Sequence, residues 1–518
     1  MPKLLIPVVL ITLFAFNLGC SRTAPTVTPT VSPSEETTND TSTGPELSLS
    51  GEAIHTIVVG ATASVDPVLH PLMLGVISGP QISSGSEGVD VTEQYQDVGV
   101  TAVRNNDYWD DRLDIEGIFN CGGDTYPSWE GCDANDDSNY DWTKSDLQYQ
   151  AWIDGGFVPF LRIGGEMKNS LNPHDFSGPQ NTTQEDNWII AANKMIDRYE
   201  HWNGEPSAFT YLDIWTEIPG NSFWDRSDQD FMKFWVKAYK SIKAAHPELK
   251  VGGPGFIGVK LLEGKDRLAT GILNDLYKQG LELDWLGWHT FGTDPTKYSE
   301  LATTYQNLLE GAGQPWAGTG YFSNTEVIVD AYGNGSGTAP VGGEVKISVN
   351  TGEGAAVLTS GWIALQYANI QGAFYYRGND YGTTKEKAGT TGSFDDQAGL
   401  FTSAGEYKPL AHAFKLWSTL TNNYPTLLST NLPADGSTPD LWAMAAQNSE
   451  GNIALLVANP STTATTFTIQ ANGQDLSSFP TAIAYEVDDN NDGTAASLLT
   501  TSTISLPAGA VELIELRP

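Results

Sequence analysis

Eight short apolar runs, most of them separated by segments of helical period, occupy residues 70 to 420. They are Leu72–Ile77, Ala102–Arg104, Phe157–Ile163, Tyr211–Trp215, Leu249–Gly252, Trp285–His289, Phe322–Ile328 and Phe374–Tyr376. Between them, Phe231, Trp235, Ala238 and Ile242 form one stripe at helical spacing. Thr143 to Trp152, Trp188 to Tyr199 and Leu301 to Leu308 read as further helices. Strands that alternate with helices build a parallel sheet, because a parallel pair needs a crossover. Eight such units over this length predict an α/β fold, a (β/α)8 TIM barrel over 70–420, in preference to an open sheet.

The texture changes after Leu420. Leu441–Ala446, Ile453–Ala458, Thr466–Gln470, Ala482–Val487 and Val511–Leu516 are short β-rich runs divided by Gly, Asn, Ser and Thr. They predict a C-terminal antiparallel β-sandwich domain over 421–518. Ala53–Val59, in the segment 47–69, is read as a strand added to it. Asp488, Asn490, Asp492 and Gly493 match the first half of a calcium loop. Leu499 stands where that loop needs a glutamate, so a turn between strands is expected instead.

Ahead of these domains, Lys3 and the apolar Leu4–Leu18 read as a signal peptide over 1–19. Leu18-Gly19-Cys20 resembles a bacterial lipoprotein box, although Asn17 stands where an aliphatic residue is usual. Lipidation of Cys20 and ordinary cleavage nearby are the two readings. Residues 20–46 are rich in Thr, Ser and Pro and carry too little apolar surface to fold, so they are expected to act as a tether. The expected location is the bacterial cell envelope, with Ser21 favouring the outer membrane, or the secreted fraction. In such an oxidising compartment Cys121 and Cys132 form either a loop-closing disulfide or two unpaired thiols.

Charge and composition exclude several partners. With 27 Lys+Arg against 63 Asp+Glu, the net charge is −36. Nucleic-acid phosphates need the opposite sign, and so does an anionic membrane surface. A membrane association is therefore expected only through the lipid anchor. Three cysteines and seven histidines without ligand spacing imply no metal, and no cofactor is expected. Nothing in the sequence sets an oligomeric state.

In a barrel the chemistry sits at the carboxyl ends of the strands. The fourth run ends in Trp215-Thr216-Glu217-Ile218-Pro219, and the seventh reads Ser323-Asn324-Thr325-Glu326-Val327. Carboxylates on strands four and seven that face each other across a mouth would suit double-displacement glycoside hydrolysis, one as acid/base and one as nucleophile. Arg104 with Asn105 and Asn106, Glu166 after Gly165, His289, and Tyr376 end other runs.

These pieces, in order, resemble the clan A glycoside hydrolases and most closely family 39, which includes β-xylosidases and α-L-iduronidases. The matching stretches are Val103-Arg104-Asn105-Asn106-Asp107, Asp114 with Ile118-Phe119, Tyr140-Asp141-Trp142 and Phe160–Gly164. They continue with Ile214–Glu217, Lys250–Pro254, Trp288-His289, Thr325-Glu326 and Gly399–Trp417. The resemblance implies a retaining hydrolase of oligo- or polysaccharides, with Glu217 as acid/base and Glu326 as nucleophile. It also implies that His289 contacts substrate or nucleophile and that Arg104 supports the nucleophile. Asn106, Glu166, Trp215, Thr216 and Tyr376 complete the expected substrate-binding set. One departure stands out: the family has Asn where this chain has Thr216. Thr lacks the amide's paired donor and acceptor. A surface glycan-binding lipoprotein that has lost catalysis is therefore the rival reading. Each residue also has a plainer role open to it: Glu217 as a carboxylate at a helix start, Arg104 as the ion-pair partner of Asp107 or Asp114, and His289 as a core histidine. Trp109 and Trp224 are candidates for flat sugar-facing surfaces.

Overall fold

The computed structural model describes residues 55–62, 68–80, 89–105, 115–119, 131–165, 178–204, 209–219, 223–262, 267–333, 348–380, 398–432 and 441–518. Eight strands close a parallel barrel in sequence order: β2 (Gly75–Ile77), β3 (Ala102–Arg104), β4 (Val158–Ile163), β5 (Tyr211–Ile214), β6 (Lys250–Ile257), β7 (Trp285–Phe291), β8 (Glu326–Gly333) and β9 (Gly372–Tyr375). The circle is completed where Gly75 and Val76 of β2 pair with Phe374 and Tyr375 of β9. The crossover segments contain α1 (Thr92–Val98), α2 (Ile115–Ile118), α3 (Thr143–Gly155), α4 (Thr182–Glu200), α5 (Asp228–Ala245), α6 (Gly258–Leu262), α7 (Arg267–Gln279), α8 (Pro295–Glu310) and α9 (Gly352–Tyr367). A last helix, α10 (Pro409–Asn423), follows β9.

Local chemistry sets several helix starts. Asn181, Ser227 and Asp294 accept hydrogen bonds from the backbone N–H groups of Gln184, Asp230 and Thr296 respectively. Each satisfies a donor that the first turn leaves unpaired. The buried face of α5 carries Phe231, Trp235, Ala238 and Ile242, the stripe read from the sequence.

The barrel interior is filled rather than hollow. Phe160 packs against Phe374 at 4.5 Å between ring centroids and against Trp285 at 5.1 Å, with Ile328 in the same cluster. A Cβ on Gly252 would come within 2.5 Å of the Trp285 ring, so glycine is what lets that indole fill the middle layer. This apolar plug separates the two ends of the barrel, which matters for the acidic residues described below.

The seventh barrel strand differs from its sequence reading. It starts at Glu326, four residues later than the expected Phe322. Gly313, Gly318 and Gly320 adopt positive φ, and residues 311–324 turn repeatedly before the strand begins. The apolar core of the strand is Val327-Ile328-Val329, so Glu326 opens it instead of closing it.

Ten strands form a second sheet in the order β14-β13-β1-β10-β11-β12-β18-β15-β16, with β17 paired to β13. Their ranges are β1 (His55–Thr62), β10 (Thr426–Thr430), β11 (Trp442–Gln447), β12 (Ile453–Ala458), β13 (Thr465–Ala471), β14 (Gln474–Asp475), β15 (Thr481–Val487), β16 (Asp492–Leu498), β17 (Thr503–Leu506) and β18 (Val511–Arg517). The pairings are antiparallel except that of β1 with β13. β1 is thus the N-terminal addition read from Ala53–Val59. The sheet encloses its own core of Ile57, Leu455, Phe467, Ile514 and neighbours. Its other face packs Met444, Leu456 and Leu513 into the barrel's helical layer. α9 and α10 meet there, with Trp362 stacked on Trp417 at 4.9 Å. The Asp488 segment is the turn between β15 and β16, Asp488 accepting from the N–H groups of Asn490 and Asn491. Among the described residues no group of acids, histidines or cysteines is arranged to hold a metal.

Glu512 of β18 is the exception in this sheet. It is buried, its Oε2 has no partner, and its cross-strand neighbour is Glu486. Burial, helped by the Glu486 charge, pushes its carboxyl up to about 8. A carboxyl raised above its ordinary 4.5 keeps its proton in the fold but loses it when unfolded, so stability declines as pH rises from about 4.5 to about 8. Glu512→Gln removes the titration. Urea midpoints should be higher for the variant than for the parent at pH 8 and should converge toward pH 4.5. A difference that does not change with pH would contradict this.

Candidate active site

Above the aromatic plug lies a layer of charge with almost no exposed atom. Arg104 ends β3, and its Nε and Nη2 donate to Asp213 Oδ2 on β5 at 3.1 and 2.6 Å. Nη2 also donates to Asp330 Oδ2 on β8 at 3.3 Å. Arg104, Asp213 and Asp330 side chains are each 0% exposed. His289 of β7 completes the layer. Its Nε2 is 3.3 Å from Asp330 Oδ2, and its Nδ1 is 3.2 Å from Glu217 Oε1.

Two glycines carve the space. Gly253 has φ 101°, and a Cβ there would lie 2.2 Å from Asp213 Oδ1. Gly255 has φ 57°, and a Cβ there would lie within 2.9 Å of both His289 Nε2 and Asp330 Oδ2. The Gly252-Gly253-Pro254-Gly255 run therefore makes room for the layer, and no side chain fits in place of either hydrogen.

Electrostatics follow from this burial. Burial alone would pull the His289 imidazole down, but Asp330 and Glu217 outweigh it and raise it to about 9. Nδ1 of the imidazole is hydrogen-bonded to Glu217 Oε1, whereas Nε2 lies in ion-pair range of Asp330 Oδ2 without a hydrogen bond. Burial pushes Asp330 upward, yet His289 and then Arg104 outweigh it, so Asp330 lies below the usual carboxylate range. Asp213 goes the other way: burial lifts it despite the pull of Arg104, and Asp330 adds to the rise. Two adjacent acids are thus driven apart, a pattern that marks functional sites.

Glu217 stands beyond the carboxyl end of β5 and is 27% exposed. Its backbone has φ 51°, and Trp215 has φ 80°. Left-handed backbone at two non-glycine residues costs roughly 1–2 kcal/mol each and tends to persist where a side chain must be aimed. The Glu217 N–H donates to Gly255 O at 2.9 Å, which fixes the turn against β6.

Several expectations are corrected. Glu326 is not at the mouth. It is the first residue of β8, opposite Trp285 at the start of β7. Its carboxylate accepts from Lys250 Nζ and from Tyr211 Oη at 2.9 Å, and these begin β6 and β5. Tyr211 begins β5, whereas Glu217 lies beyond its carboxyl end at Ile214. The two glutamates therefore sit at opposite ends of the barrel and do not form a pair. Trp215 does not face a sugar either: it is fully buried in the helical layer among Trp188, Trp224, Phe231 and Phe234. Trp224 is buried with it. Arg104 pairs with Asp213 and Asp330, while Asp107 and Asp114 lie outside the described residues. Thr216 is buried beside Gly165, and its Oγ1 has no partner. Tyr376 is at the mouth end of β9, 5.9 Å from Phe291, which is in turn 6.4 Å from His289. Asn106, Glu166 and Trp109 lie outside the described residues. Cys132 is disulfide-bonded, and Cys121 lies outside the described residues. Cys20 with residues 1–54 lies outside them too.

The sequence reading missed Asp213 and Asp330. A signal was present: each is an acid inside an apolar strand, in Leu212-Asp213-Ile214 and Val329-Asp330-Ala331. A buried acid needs a partner, so such residues point to an ionic layer. A cavity of about 810 Å³ opens by Phe322, Thr325, Glu326 and Gln371, at the amino end of the barrel. Its lining contributes no unpartnered buried polar side chain, in contrast with the layer around Arg104.

The described residues form a (β/α)8 barrel with a second β-sheet, and comparisons with known proteins say what this chain is similar to. The family model described as glycosyl hydrolases family 39 matches residues 132–312. A glucosidase from Croceicoccus marinus is 18% identical with a TM-score of 0.66, over 90% of this chain and 100% of its own. A family 39 β-xylosidase from Caulobacter crescentus is 15% identical with a TM-score of 0.59, over 90% and 100%. A family 39 enzyme from Xanthomonas axonopodis pv. citri is 16% identical with a TM-score of 0.60, over 92% and 99%. The chain is similar to family 39 of the clan A glycoside hydrolases over residues 132–312 and shares with these structures a barrel joined to a β-sandwich.

Glu326→Gln separates the two ends of the barrel. It weakens the bonds to Lys250 and Tyr211 and should lower stability by about 1–2 kcal/mol. Turnover of any glycoside the protein cleaves should be unchanged. A loss of turnover of two orders of magnitude with an intact fold would restore Glu326 to the site.

Proposed function

We propose that the chain is a glycoside hydrolase that breaks an O-glycosidic bond of an oligo- or polysaccharide at the β5–β8 side of the barrel mouth. Glu217 is the acid/base, and Asp330 is the second carboxylate. The observation that carries this reading is the bridge through His289, whose two ring nitrogens each hold one of these acids. That bridge links an acid just beyond strand four to one on strand seven, and the choice of double displacement is taken from the family resemblance.

The roles follow from the surroundings. Asp330 is held ionised by His289 and Arg104, and its Oδ1 has no partner. A carboxylate oxygen of Asp330 attacks the anomeric carbon. The glycosidic C–O bond breaks, and Glu217 gives its proton to the departing oxygen. The Asp330 ester carries no charge, so Arg104 and His289 are left in excess of acid and favour its reversal. Water then attacks the anomeric carbon while Glu217 takes its proton. The ester C–O bond breaks with its electron pair returning to Asp330, and the configuration is retained.

A second reading is supported by the enclosure of Asp330, which is 0% exposed, and by Thr216 in place of the family Asn. On that reading the barrel binds glycans without turnover. Glucosides and xylosides, suggested by the names of the structural relatives, are the first substrates to test. Glu217→Gln should lower turnover by about 10²–10⁴-fold. Unchanged activity in that variant would refute the acid/base assignment. Glycan affinity without turnover in the parent would select the second reading.

We further propose export and lipid anchoring at Cys20 through the 20–46 tether, with a Cys121–Cys132 disulfide. Cys20→Ser should move the protein from the detergent phase to the soluble fraction. Retention in the detergent phase would contradict the anchor.

A further inference from the structure

We propose that Asp213 is a positioning residue whose proton decides how much of the Arg104 guanidinium is available to Asp330. This rests on the reading of Asp330 as the second carboxylate and adds a control on it. One guanidinium serves two acids that no water reaches. Asp213 holds the larger share, taking both Nε and Nη2, while Asp330 receives a single longer contact from the same Nη2. Arg104 Nη1 has no partner. Asp213 Oδ1 also has none, and it is the atom free to carry a proton.

Among the described residues, the strands around Asp213 supply its charged neighbours. β3 contributes Arg104 and β8 contributes Asp330. β4 places Arg162 beside it in register, with Arg162 Nη1 turned to Gly164 O. β7 contributes His289, a further cation acting on it. β6 contributes Gly253, which carries no charge and leaves space only for Oδ1 itself. An acid so placed is lifted by burial to about 7. When Asp213 is ionised it holds Arg104 and sets a like charge near Asp330. When it is protonated, Arg104 is released toward Asp330, and the repulsion is gone. The proton on one buried acid thereby changes the charge balance at its neighbour without touching substrate.

The test uses 2,4-dinitrophenyl glucoside and xyloside, whose leaving group needs no acid, so that Glu217 drops out of the bond-breaking step. The wild-type profile of kcat/KM should show a limb near pH 7. Asp213→Asn should abolish that limb while leaving a measurable rate, and Asp213→Glu should restore it at a shifted position. In parallel, the ring resonances of isotopically labelled His289 should show a step near pH 7 in the wild type and none in Asp213→Asn. A step that persists in the variant, or a wild-type His289 signal that is flat between pH 6 and 8, overturns the proposal. The resonance step is read without turnover. A protein that shows the step but cleaves nothing keeps Asp213 as the titrating group and rejects the hydrolase reading instead.

Discussion

A single buried guanidinium organises the functional end of this barrel. Arg104 has no exposed side-chain atom and is bonded to acids on two other strands. Such a cation is costly to bury and tolerable only when its partners are fixed. The partners in turn fix the backbone around them: Gly253 and Gly255 must lack side chains, and Glu217 must turn out of the strand with positive φ. The interaction that stabilises the charged layer thus also aims the one partly exposed acid of the layer. Structure and chemistry draw on the same ion pairs.

Below that layer the barrel is a packed core. Phe160, Trp285, Phe374 and Ile328 fill it, and the amino end is closed by Tyr211, Lys250 and Glu326. The division matches the general rule that conservation of chemistry lies at one end of a barrel and stability at the other. The ten-stranded sheet braces the outside through α9 and α10.

Much of this was legible in the sequence. All eight barrel strands were recognisable because short apolar runs and helical stripes alternate. α9 was not, because its residues from Gly354 to Gln366 are buried on every side and show no stripe. Glu217, Arg104 and His289 were recognisable as strand-end residues. Glu326 misled for a physical reason: the apolar Phe322 before it looks like strand, whereas the chain there is still turning. A shift of four residues moved a carboxylate from one end of the barrel to the other. Trp215 was expected at the substrate beside Glu217 in the family-like motif, whereas its left-handed backbone accompanies a ring packed into the helical layer. Asp213 and Asp330 were hidden by their apolar neighbours, although an acid in such a run has few explanations other than an ionic partner.

The pairing of Glu217 with Asp330 is the central claim, and covalent trapping tests it most directly. The protein would be incubated with 2,4-dinitrophenyl 2-deoxy-2-fluoro-glucoside or -xyloside and then mapped by peptide mass spectrometry. The account predicts one added glycosyl group, located on Asp330. A label on Glu326 or any other carboxylate, or turnover of the unfluorinated glycoside without any label, would contradict it.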